Sequence, residues 1–71
     1  MHKSTFQYLK PTDDQLSIMD MVRSDFAAFS DMLDHLLPEG ADKDHVIRLI
    51  RDAAMWANVA ITREADGSPR E

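Results

Sequence analysis

Apolar residues recur at spacings of three and four along the first half of the chain, and no Gly or Pro interrupts them. They are Leu16, Met19, Val22, Phe26, Phe29, Leu33 and Leu36. This spacing places side chains on one face of an α-helix. Thr12 suits the N-cap, Gln15 completes a capping box, and the two aspartates after Thr12 favour the positive end of the helix dipole. The pattern predicts a first helix over about residues 13–37.

A second helix is predicted over about residues 42–64. The turn before it contains Pro38, which disfavours helix at Leu37, and Gly40, which can take a left-handed conformation. A turn this short makes the two long helices antiparallel, and no segment has the pattern of a strand. The sequence therefore predicts an all-α helical hairpin over residues 12–64. Residues 1–11 form a short N-terminal arm or helix, and residues 65–71 a flexible polar tail.

The apolar surface of the second helix is too wide for one partner helix. Val46, Ile50, Ala53, Ala57 and Ala60 form one row, Ile47, Ala54 and Ile61 a second, and Leu49 with Trp56 widens the first. An uncovered apolar surface of this size usually marks association. We therefore expect a symmetric homo-oligomer, with an interface that includes Phe26, Ile50, Ala53, Trp56, Ala57 and Ala60. The alternative is a monomer in which residues 1–10 fold back as a third element.

Composition narrows the class of protein. A chain of 71 residues forms one domain at most, and it contains no cysteine for disulfides. No apolar run is long enough to span a bilayer, so we expect a soluble intracellular chain that does not bind membranes. The net charge of −5 argues against binding of duplex nucleic acid, which requires a basic surface.

The polar residues favour binding over catalysis. No serine has a paired histidine and acid at a recognisable spacing, and Asp31 with His35 supplies too few ligands for a metal site. We therefore expect no catalytic residue, metal or cofactor. The ligand-type side chains are Tyr8, Lys10, Arg23, Arg48, Arg51 and Arg63. Arginine binds phosphate in a bidentate manner, and an aromatic ring stacks on a base. Of these we select Tyr8, Lys10, Arg23 and Arg63 as candidate binding residues. These residues are scattered in one chain, but a symmetry axis would gather several copies around one ligand.

Three segments resemble the hairpin domain of the phage anti-CBASS sponge proteins, which the phage anti-Thoeris sponges share. They are "YLKP" before the first helix, "LPEGADK" in the turn, and "AAMWANVAI" in the second helix. The last segment is the most specific of the three. The resemblance extends over roughly residues 8–63.

The resemblance implies a non-enzymatic, phage-encoded protein that acts in the cytoplasm of the infected bacterial host. Such proteins assemble as compact oligomers, hexamers in the best-known members. They sequester cyclic oligonucleotide messengers, such as cyclic GMP-AMP, cyclic di-AMP and cyclic tri-AMP, and so block activation of CBASS effectors. Anti-Thoeris relatives carry additional sequence and bind cyclic ADP-ribose isomers, so the length of this chain favours the anti-CBASS branch.

The resemblance also assigns roles to single residues. Tyr8 and Arg23 match the stacking tyrosine and the basic residue of the family's cyclic dinucleotide pocket, and Arg63 matches a basic residue of its trinucleotide pocket. The sequence departs from the family at Asp44, Arg48 and the pair Arg51-Asp52, where relatives often carry Ser or Thr and two acids. This departure leaves the choice of ligand open.

Two classes of function remain after the sequence analysis. The first is a sponge for cyclic oligonucleotides. The second is a helical-hairpin module that self-associates or binds a partner protein without a small ligand. A DNA-binding helix-turn-helix is disfavoured by the acidic charge and by the length of the helices.

Overall fold

The computed structural model describes residues 1–70, and in this range the chain is an all-α antiparallel hairpin. Helix α1 spans Asp13–Leu36 and helix α2 spans Ala41–Thr62. The prediction of two long helices in a hairpin without strands is confirmed. The molecule is elongated, with dimensions of 43 × 25 × 15 Å. Neither of the described helices has the length and apolar composition needed to cross a membrane.

The predicted signals fix the helix ends that face the loops. The Thr12 hydroxyl accepts from the Gln15 main-chain N–H at 3.1 Å, and the Gln15 side-chain oxygen accepts from the Thr12 N–H at 2.9 Å. This is the expected capping box. Helix α1 ends at Leu36 because Leu37 is extended before Pro38. Gly40 then adopts a φ of 149°, which a residue with a side chain rarely takes.

The turn is closed by a nearly buried lysine that sequence analysis did not single out. Lys43 is only 6% exposed. Its ammonium group donates to the Asp34 main-chain oxygen at 2.7 Å and lies 3.1 Å from the Asp34 carboxylate. It also pairs with the Glu39 carboxylate. The hydrogen bonds to Glu39 and Asp34 raise the pKa of Lys43 above its usual range. Lys43 therefore stays charged and joins the end of α1 to the start of α2.

The two helices meet along a narrow seam of half-buried side chains. From α1 and the residue after it these are Gln15, Met19, Val22, Phe26, Ser30, Leu33 and Leu37; from α2, Val46, Ile47, Ile50, Ala54, Ala57 and Ile61. Met19 is the one hydrophobic residue of the described chain that counts as buried. The sequence placed Leu16, Phe29 and Leu36 on the same apolar face, but they are about half exposed or more. In a straight helix, residues seven positions apart do not point in quite the same direction. An apolar stripe with a seven-residue repeat therefore turns gradually away from the contact with the other helix.

The isolated hairpin exposes far more surface than a compact protein of its length. Its accessible surface is 5776 Å², whereas a compact monomer of this size exposes about 4,500 Å². The excess is larger than the roughly 800 Å² that one partner contributes to a standard protein–protein interface. Its radius of gyration of 14.9 Å also exceeds the roughly 11 Å of a compact domain. These values are those of an elongated hairpin with a large uncovered face.

The N-terminal segment (residues 1–11) folds back on the end of α2 and not along the helices. The His2 N–H donates to the Asp66 main-chain oxygen at 2.6 Å, and the Ser4 hydroxyl donates to the Gly67 oxygen at 3.1 Å. Ser4 is 5% exposed, while Phe6 and Tyr8 project into solvent. The segment therefore does not cover the apolar faces of the hairpin, as the monomeric alternative required.

Residues 64–70, which include most of the predicted tail (residues 65–71), form a closed turn. The Glu64 N–H donates to the Ser68 main-chain oxygen, and the Arg70 N–H donates to the Thr62 oxygen, both at 2.8 Å. The Ser68 hydroxyl and N–H donate to the Asp66 carboxylate, which lowers the pKa of Asp66. The last predicted tail residue, Glu71, lies outside the described residues. Local hydrogen bonds close this turn, and no apolar pattern in the sequence predicts it.

Candidate ligand-binding site

The aromatic side chains of the N-terminal segment are almost fully exposed. Tyr8 is 86% exposed and Phe6 is 87% exposed. Lys10 is also exposed, two residues before the N-cap of α1. Burying an aromatic ring is strongly favourable, so rings left in water are available to a ligand or to another chain. Tyr8 is therefore placed where stacking on a base is sterically open.

Arg63, at the end of α2, holds this segment in place. Its Nη1 donates to the main-chain oxygens of Ser4 and Gly67, each at 2.8 Å. Its Nη2 donates to the main-chain oxygen of Gln7. A guanidinium has five N–H groups, so these bonds leave two for a ligand. The residue predicted to contact phosphate thus also joins the N-terminal segment, the end of α2 and the closed turn.

Arg23 lines a groove between the two helices, together with an arginine that had no assigned role. Arg51 of α2 lies on the opposite wall of the same groove, and Asn58 lies further along α2. The apolar part of the lining consists of Val22, Phe26, Ala54 and Met55. We call this the arginine groove. It combines cationic groups with an apolar floor, which is the arrangement that a phosphate joined to a sugar and a base requires.

The arginine groove is too small to hold a complete nucleotide ligand. Its volume is about 150 Å³, whereas ligand pockets usually measure about 300–1,000 Å³. Tyr8 does not line it, so one chain does not bring Tyr8 and Arg23 into one pocket. A site that uses both residues needs parts of at least two chains.

The opposite side of the hairpin carries a mostly apolar surface, in which the exposed Asp25 lies beside Phe29. On α2 it consists of Leu49, Ala53, Trp56 and Ala60; on α1, of Ile18, Met21, Phe29, Met32 and Leu36. We call this the apolar flank. On each helix these residues lie across the seam from the arginine groove, as the helical period requires. Trp56 is 69% exposed and Leu36 is 70% exposed.

The residues predicted for an oligomer interface divide into two groups in the structure. Ala53, Trp56 and Ala60 are exposed on the apolar flank. Phe26, Ile50 and Ala57 are half-buried at the seam between the helices. The first three are therefore free to contact another chain, while the other three already pack within the hairpin.

Arg70, for which the sequence predicted no role, lies against the end of α2. Its Nε donates to the Ala60 main-chain oxygen at 3.0 Å, and its Nη2 donates to the Arg63 oxygen at 2.9 Å. Its remaining Nη lies 3.2 Å from the Glu64 carboxylate. The dipeptide Asp66-Gly67 is a common turn signal and could have predicted the turn that brings Arg70 here.

Residues 1–70 contain no group of three or more metal-ligating side chains. His35, beside two aspartates in the sequence, has its Nδ1 2.8 Å from the Asp31 main-chain oxygen. Its local contact is therefore to the backbone of its own helix.

The fold and these surfaces define a class: an all-α hairpin protein with ligand-type side chains at its open end and in one groove. Residues 1–62 match the family described as Acb2/Tad1, hairpin domain, and the chain belongs to this family. It is the family of the phage anti-CBASS and anti-Thoeris sponges, so the resemblance found in the sequence is confirmed. The match includes both helices and ends one residue before Arg63. Searches of curated proteins and of solved structures found no significant match.

Proposed function

We propose that this protein is a non-enzymatic sponge that binds cyclic oligonucleotide messengers in the cytoplasm of an infected bacterium and so blocks CBASS effectors. Cyclic dinucleotides such as cyclic GMP-AMP and cyclic di-AMP are the first ligand class, and cyclic trinucleotides such as cyclic tri-AMP are the second. The working unit is a symmetric homo-oligomer, with six chains as in the best-known relatives. The single observation that carries the proposal is the family match over residues 1–62.

The exposed side chains supply the chemistry that such a ligand needs. Tyr8 offers an open ring for a base, and Arg23 offers a guanidinium for a phosphate. Arg23 is held only by an exposed ion pair with Asp20 at 3.1 Å, and such pairs contribute about 0–1 kcal/mol. A phosphate can therefore displace Asp20 at little cost. The acidic net charge is no obstacle, because only the local groups contact the ligand.

The required affinity explains why the site must lie between chains. A stoichiometric sponge needs a nanomolar Kd, or about −12 kcal/mol. One stacked base contributes about 1–3 kcal/mol, and one charge-assisted hydrogen bond about 1.5–3 kcal/mol. Tyr8 and Arg23 of one chain supply only part of the total. Contacts from two or more protomers supply the rest, in agreement with the small volume of the arginine groove.

Substitution of Tyr8 tests the proposal. We expect Tyr8→Ala to weaken binding of 3′,3′-cyclic GMP-AMP at least about tenfold in calorimetry, because the stacking energy is lost. Tyr8→Phe retains the ring and should retain most of the affinity. Phe6→Ala is the matched control, since Phe6 is equally exposed on the same segment. Equal losses in Tyr8→Ala and Phe6→Ala would contradict a specific role for Tyr8.

Sequestration differs from hydrolysis in what becomes of the ligand. We expect cyclic nucleotide bound by the protein to be recovered chemically intact after heat denaturation, in a fixed ratio to protein chains. A linear product, or turnover beyond that ratio, would contradict a sponge. A folded oligomer that binds no cyclic nucleotide would instead support the hairpin module without a ligand.

Arg63 and Lys10 complete the proposed binding residues. Arg63 is the candidate for a trinucleotide site, and a phosphate there must use the N–H groups left over by its three main-chain bonds or displace the N-terminal segment. Lys10, close to Tyr8 in the sequence, adds positive charge near the stacked base. Arg63→Ala should therefore alter both ligand classes, because it also releases the segment that carries Tyr8.

A further inference from the structure

Arg51 stands out among the side chains that the proposed function leaves without a role. It lines the arginine groove from α2, while Arg23 lines the same groove from α1. Asp20 pairs with Arg23, whereas no salt bridge or side-chain hydrogen bond engages Arg51 within residues 1–70. Two guanidinium groups on one small groove repel each other unless an anion lies between them. Each helix therefore supplies one cation to the groove, and among these residues only Arg23 has a counter-ion, Asp20.

We propose that Arg51 is a second phosphate-binding residue of the arginine groove, so that α1 and α2 each supply one guanidinium to the cyclic dinucleotide. The inference rests on the proposed function and names a ligand residue within it. Arginine recognises the oxygens of a phosphodiester through paired N–H groups. The apolar floor formed by Val22, Phe26 and Met55 then lies beside the phosphate, where the sugar and base must be accommodated.

The volume of the groove agrees with one phosphodiester and its sugar. About 150 Å³ is half the lower limit of ordinary ligand pockets, so the rest of the ligand must extend out of the groove. Asn58, one helical turn beyond Ala54, lies at the groove and offers an amide that can donate and accept.

Arg48 provides a matched control for Arg51. It lies one turn earlier on the same helix, is exposed, and does not line the arginine groove. Arg51→Gln and Arg48→Gln change the net charge equally. Any difference in affinity between the two variants is therefore due to the position of the arginine. We expect Arg51→Gln to weaken binding of 3′,3′-cyclic GMP-AMP about tenfold or more, and Arg48→Gln to change it less than about twofold. Arg51→Lys retains the charge without the paired N–H geometry and should fall between wild type and Arg51→Gln.

A double-mutant cycle tests whether the two arginines hold the same phosphate. If they do, Arg23→Gln combined with Arg51→Gln loses less affinity than the two single losses predict. Circular dichroism and light scattering verify that each variant keeps its helices and its assembly. Equal effects of Arg51→Gln and Arg48→Gln, or no effect of Arg51→Gln on a wild type that binds, would overturn the role of Arg51 alone. Absence of binding by the folded wild type would overturn the proposed function, and the role of Arg51 with it.

Discussion

The two long sides of the hairpin differ in chemistry: one is apolar and the other carries arginines. The helical period places these two sets of residues on opposite sides of the seam. The apolar flank exposes Trp56, Met21 and Leu36, which are each about 70% exposed in one chain. The arginine groove on the other side places Arg23 and Arg51 over a small apolar floor. Removal of the apolar flank from water lowers the free energy, whereas at the guanidinium groups the binding of an anion lowers it. One side is thus suited to self-association, and the other to a charged ligand.

In a protein this small, the residues that contribute to stability can still be different from the residues that bind a ligand. A chain that buries little within itself can gain stability from a second copy, and the apolar flank is the surface that a second copy would cover. The arginine groove contributes little to packing, so its residues are free to serve a ligand. Substitutions on one side should consequently leave the property of the other side largely intact, except where the complete site needs two chains.

The largest effect is expected on the apolar flank. Trp56→Glu places a charge where a second chain would bury it, at a cost of about 2 kcal/mol or more at each contact. We expect the assembly to dissociate to smaller species in size-exclusion chromatography with light scattering. Arg48→Glu, on the same helix but away from the apolar flank, should leave the assembly intact. An unchanged mass for Trp56→Glu would show that this flank is not the interface.

A smaller effect is expected in the arginine groove when the competing carboxylate is removed. Asp20→Asn frees Arg23 from an exposed ion pair worth about 0–1 kcal/mol, so affinity for cyclic GMP-AMP should rise by about two- to fivefold in calorimetry. Asp31→Asn makes the same change of charge elsewhere on α1 and serves as the control. Equal gains in the two variants would mean that net charge, and not the Asp20 pair, sets the affinity.

The smallest effect on binding and assembly is expected from the turn between the helices, which belongs to neither the apolar flank nor the arginine groove. Lys43→Ala removes the bonds to Asp34 and Glu39 and should lower the Tm by about 4–8 °C, while binding and assembly at 25 °C persist. Lys43→Met keeps the packing and should lose less. Because the pKa of Lys43 is raised in the folded protein, its charged contacts stabilise the fold below about pH 10.4 and are lost as pH rises through the folded pKa.

The difference in Tm between wild type and Lys43→Ala, measured by circular dichroism, should therefore stay constant from pH 6 to 9 and shrink at higher pH. A difference that grew with pH would contradict the contribution of the charged ammonium group. A large loss of ligand affinity at 25 °C would instead show that the turn and the arginine groove are coupled.

The sequence was a good guide where a local rule decides the structure. Thr12 and Gln15 form the predicted capping box, and Pro38 with Gly40 ends one helix and starts the next. Four of the seven residues of the long apolar stripe also lie at the seam: Met19, Val22, Phe26 and Leu33. Each of these features depends on residues only a few positions apart, so a single sequence contains the information.

The sequence was a poor guide where long-range partners decide. The sequence did not single out Lys43, yet this side chain is nearly buried and donates to the carbonyl of Asp34 and the carboxylate of Glu39. Arg51 could not be joined to Arg23 until the register of the two helices was known. The site residues Tyr8, Lys10, Arg23 and Arg63 remain predictions, because chemistry and resemblance selected them and one chain alone does not assemble them.

Arg63 fastens the N-terminal segment through main-chain oxygens alone, those of Ser4, Gln7 and Gly67. Every residue type has the same main-chain carbonyl, so this attachment of the N-terminal segment does not depend on the side chains that the segment carries. Phe6 and Tyr8 can consequently be exchanged over generations without loosening the segment. The attachment of the segment and the identity of its exposed aromatic side chains are thus two independent features of the protein.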